Sequence, residues 1–213
     1  MPAEPRLVPR FVAEPSQDQL PDGRWAATLQ RHFLGACDPL DEEEDGLGDP
    51  GEITFYPDRT WHGRTYVPAT TLTSTGYELF GYVSFRPGGE DREPSEFSAV
   101  ADFTSETAAE NPDWELDLCE EVVGVWRGER DDAAEMTLVW GRPLVDGGSV
   151  VTAELGGLVV DQCALVEERF TLLAPDGLGG DALECKLFDD AGEEIAQESL
   201  YEDDGEDDED DEQ

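Results

Sequence analysis

From Glu52 onward, apolar residues in this chain recur with a period of two, and that spacing restricts the fold more than any other feature. Successive side chains of a strand point to opposite faces, so alternation marks strands with one covered and one wet face. Tyr77, Leu79, Val83 and Phe85 share a face, as do Phe97, Ala99, Ala101 and Phe103. The pattern returns at Trp114, Leu116 and Leu118, at Met136, Leu138 and Trp140, at Val151, Ala153 and Leu155, and at Leu183, Cys185 and Leu187. Turn formers separate the runs: Pro57-Asp58, Pro87-Gly88-Gly89, Asp146-Gly147-Gly148, Pro175-Asp176-Gly177 and Asp189-Asp190-Ala191-Gly192. About ten strands are expected on this spacing, with no long helix between them, which disfavours parallel βαβ units. The expectation is a mainly β protein: an antiparallel barrel or sandwich, calycin-like if it closes, since closure removes exposed edges.

Only one helix is expected. Trp25, Leu29 and Phe33 fall at i, i+4 and i+8, a single apolar stripe over residues 22–34, with Asp22 placed to cap it and Gly35 to end it. The stripe must dock on the sheet, while Arg24, Arg31 and His32 lie on other faces. Gly23-Arg-Trp25 resembles the Gly-x-Trp that opens many lipocalin-like barrels; the likeness is three residues long, lies inside a helix pattern and names no family. Residues 1–21 hold five prolines and read as an extended arm, with Leu7, Val8 and Phe11 as its apolar anchors. Residues 41–51 are an acidic, Gly-rich loop that lacks the ligand spacing of a calcium site. Residues 22–201 form the expected single domain, and 202–213 a disordered tail in which ten of twelve residues are carboxylates.

Charge limits the partners. The chain carries 53 Asp and Glu against 13 Lys and Arg, a formal net charge of −40. Such a field repels nucleic-acid phosphate and anionic lipid and attracts basic surfaces, so no direct nucleic-acid binding is expected. No run reaches the roughly 18 apolar residues of a membrane span, and the N-terminus shows no apolar signal core. Cys37, Cys119, Cys163 and Cys185 form no C-x-x-C pair and three sit in apolar runs, which reads as reduced thiols in a cytoplasmic protein.

No motif names a reaction. His32 and His62 are the only histidines, and neither a G-x-S-x-G elbow nor a Walker-type loop is present. Nothing in the spacing calls for a cofactor or a metal. The densest local cluster is Tyr56–Tyr66, where Arg59, Trp61, His62, Arg64 and Tyr66 gather in a turn and its flanks. Arginine with aromatics is the composition of binding hot spots, so these five residues are the candidate partner or ligand contact. The expected function is a protein-binding accessory module that meets a basic protein surface. A small-molecule carrier on a calycin-like barrel is the alternative, followed by an enzyme built on the His62 cluster.

Overall fold

The computed structural model describes residues 19–40, 46–89, 92–127, 133–177 and 182–200. The helix α1 spans Gly23–Cys37 and outruns its expected end at Gly35. The reason is packing. The four-residue stripe continues from Leu29 and Phe33 to Cys37, all buried, so the last turn is held down despite the glycine. Trp25 meets Phe85 edge-on at 5.0 Å, and Leu29 and Phe33 are buried in the same core, so the stripe docks on the sheet as its spacing predicts; His32, expected on another face, also meets the sheet, stacked on Phe97 at 4.6 Å.

Twelve strands follow among the described residues, two more than expected because β1 (Thr54–Phe55) and β2 (Arg59–Trp61) are too short to show a period. The others are β3 (Arg64–Leu72), β4 (Glu78–Arg86), β5 (Ser95–Thr104), β6 (Leu116–Arg127), β7 (Ala133–Pro143), β8 (Val150–Leu155), β9 (Leu158–Ala164), β10 (Phe170–Asp176), β11 (Leu183–Phe188) and β12 (Glu194–Ser199). They build three antiparallel sheets. The first runs β1-β3-β4-β5 with β2 also on β3, the second β10-β7-β6, and the third β12-β11-β8-β9.

The apolar side chains sort into three cores in series. Leu29 and Phe33 of the helix pack with Val67, Leu79, Val83 and Phe85 on one face of the first sheet. Tyr66 and Tyr82 on its other face pack with Met136, Leu138, Trp140 and Leu173 of the second sheet. Val139, Phe170 and Leu172 on the far side of the second sheet pack with Val151, Leu183, Cys185 and Leu187 of the third. The architecture is therefore a stack: helix, sheet, sheet, sheet.

The stack overturns the expected barrel, and with it the calycin-like carrier that needed a closed wall. Among the described residues each sheet stays open, ending in strands that pair on one side only. The physical reason lies in β3, β4, β7 and β10, which are buried on both faces; all seven residues of β10 are buried. A barrel strand turns one face inward and one outward, whereas a strand covered on both sides belongs to the middle of a layered stack. All four cysteines are free, with Cys37, Cys163 and Cys185 buried and Cys119 half-buried. Among the described residues no helix is long and apolar enough to cross a membrane. The expected arm (residues 1–18 of it), the acidic run 41–45 and the tail 202–213 lie outside the described residues.

Candidate functional site

The cluster at residues 59–66 is a tight hairpin. Trp61 pairs with Arg64, and His62 and Gly63 take the two central positions with φ of 51° and 71°. Positive φ at both positions is the backbone of a type I′ turn, whose twist suits a two-residue hairpin. His62 stands exposed at the tip with its ring stacked on Trp61 at 4.2 Å.

The hairpin places the five residues in different surroundings. Arg59 is 2% exposed and is paired to Asp161 of β9, whose carboxylate also accepts the Leu173 N–H at 2.8 Å. One ion pair thus ties the first sheet to the third, with the second between them. Trp61 is buried, and its ring lies where a Cβ on Gly124 would stand, 2.6 Å away. Tyr66 meets Tyr82 edge-on at 5.5 Å in the middle core, and burial raises the pKa of both phenols. Arg64 donates to Ser84 Oγ at 3.0 Å and to the Glu96 carbonyl at 2.8 Å. Arg59, Trp61 and Tyr66 serve the interior, so the five residues do not share one surface.

A different place gathers chemistry. Between β5 and β6, the end strands of the first and second sheets, lies a cleft of about 460 Å³. Glu78, Asp102, Glu106, Asp117, Glu120 and Glu121 line it, beside Phe80, Trp114 and Leu118. Among the described residues no basic side chain lines it. Exposed Val100 and Val122 of the same two strands add apolar surface, as does Val125 further along β6.

The carboxylates here are not alike. Asp117 is buried and accepts a hydrogen bond from Arg142 Nε at 2.9 Å. Burial pushes the Glu78 carboxyl up to about 7, and neighbouring Asp117 adds to the rise. Burial also raises Glu120 to about 7, with Asp176 and Glu121 contributing. Glu121 is raised by burial and then by Asp102. The Cys119 thiol, desolvated first and then faced by Glu78, Asp117 and Glu120, is held well above the usual thiol range. It is therefore a poor nucleophile. The electrostatic sum is a negative cleft with two acids half-protonated near pH 7, suited to receiving a cation. Among the described residues no group of three or more His, Cys, Asp or Glu is arranged to hold a metal ion.

Set against protein-family models, curated proteins and solved structures, the chain matches none of them. Its site must be read from geometry alone. Sequence reasoning missed the cleft for a plain reason. Glu120-Glu121 does break the alternation inside an apolar strand, but in a chain with 53 acids two adjacent carboxylates carry no signal.

Proposed function

We propose that this protein is a binding module whose acidic cleft between β5 and β6 receives a basic segment of a partner protein. One observation carries the reading: among the described residues six carboxylates and no base line a cleft that also offers Phe80, Trp114 and Leu118. A bare acidic face would hold only solvent and counterions. A cleft with apolar walls excludes part of that water, so each ion pair inside it is stronger than on the open surface. The partner chemistry follows: arginine or lysine alternating with apolar side chains. Nucleic acid is not the direct partner, because a chain of net charge −40 repels phosphate.

The test is fluorescence anisotropy with a labelled peptide alternating arginine and valine. Binding at low salt should weaken as salt rises, because the exposed part of the attraction is screened over roughly 10 Å at 0.1 M. Glu121→Gln and Asp102→Asn together should weaken it about ten-fold or more, the scale of losing even one charge-assisted hydrogen bond. Equal affinity in the wild type and the double variant would reject the cleft as the site.

A further inference from the structure

We infer that the acidic cleft is occupied in the resting protein by this chain's own residues 5–13, which compete with the basic partner. The inference rests on the reading of the cleft just given and adds its regulation. Residues 5–13 lie outside the described residues, but their sequence is Pro-Arg-Leu-Val-Pro-Arg-Phe-Val-Ala. Arg6 and Arg10 stand there with four large apolar residues and no acid, in a chain of net charge −40. That is the chemistry the cleft selects. The other terminal segment, with ten carboxylates among its last twelve residues, is repelled from the same place.

Reach permits it. Gln19 and Leu20, the first of the described residues, lie beside Pro94 and Phe85, next to the start of β5 at Ser95. The cleft lies toward the other end of β5, at Asp102 and Thr104. Ten residues of strand span about 33 Å. Residues 13 and 5 precede Gln19 by six and fourteen positions, so an extended chain carries them roughly 20 to 46 Å from it. The cleft end of β5 lies within that range.

Competing sites fit less well. The neighbouring hollow lined by Glu52, Thr70, Glu167 and Glu168 also presents Arg142 and Arg169, which oppose a basic segment.

The experiment uses the full chain and its Arg6→Glu/Arg10→Glu variant, with the labelled arginine–valine peptide as probe. The variant should bind the probe about ten-fold more tightly, as expected when an internal competitor that leaves only a tenth of the sites free is removed. The amide resonances of Glu78, Asp102 and Glu121 should differ between the two proteins at low salt and converge at high salt. Equal probe affinity together with identical cleft resonances overturns the inference while leaving the basic-partner reading intact. Cleft resonances that differ while neither protein binds the probe support the inference and reject that reading. Differences that grow with protein concentration assign the cleft to a second copy's segment and overturn self-occupation.

Discussion

Replacing Arg59 with alanine should unfold this protein more readily than any change at its surface. The guanidinium is 2% exposed and the Asp161 side chain 13% exposed, so the pair is shielded from solvent. Removing the arginine leaves Asp161 with the Leu173 N–H as its remaining described partner. A buried charge stripped of its counterion costs about 3–5 kcal/mol, against about 0–1 for an exposed pair. At roughly 2–4 °C per kcal/mol for a chain of this length, Tm should fall by about 6–20 °C. Urea denaturation followed by tryptophan fluorescence gives the free energy directly, and the slope should stay constant because the folded state keeps its surface. The second arm of the experiment is Arg59→Met/Asp161→Leu. It removes both charges and also the Arg59 Nε, which has no hydrogen-bond partner among the described residues. It should recover part of the loss: a buried pair replaced by apolar groups is often neutral or better, but the buried Leu173 N–H then loses its acceptor, which costs about 1–3 kcal/mol. A loss below about 1 kcal/mol for Arg59→Ala would refute the reasoning, because it would mean that Asp161 reaches water once the arginine is gone.

Two further outcomes follow from the buried acids and thiols. Glu78 and Glu120 titrate near 7 in the fold, above the ordinary carboxylate value, so the folded state holds their protons more tightly than the unfolded chain does. Their penalty is absent below about pH 4.5, builds as pH rises through 7 and is complete above it; screened by partial exposure, it amounts to about 1–3 kcal/mol in all. Tm should therefore drop between pH 5.5 and 8, and Glu78→Gln/Glu120→Gln should flatten the profile; an unchanged slope in that variant would discard the assignment. Burial raises the Cys163 thiol to about 11 and that of Cys185 to about 12, so alkylation at pH 8 should spare both in the native protein and modify all four cysteines after denaturation without reductant. Rapid native labelling of Cys185 would show that the third core opens on the labelling timescale.

What the sequence determined by itself was local. Period-two runs fixed the strands, turn residues fixed most of their ends, and a four-residue stripe placed the helix on the sheet through Trp25, Leu29 and Phe33. These are properties of neighbours along the chain, and alternation reports them directly. What tertiary structure decided was which faces met. Tyr66-Val67 and Leu172-Leu173 each send adjacent apolar side chains into two different cores, a pattern that alternation with one wet face does not contain. Double coverage turned an expected barrel into a stack of open sheets and left β5 and β6 as the end strands of their sheets among the described residues, with a cleft between them. The same stacking drew Arg59 inward to a carboxylate 102 residues away in sequence, while the carboxylates of β4, β5 and β6 came together with no local signal to mark them. Charge was legible as a total from composition, but its placement was not, because proximity between distant acids exists only once the sheets have packed.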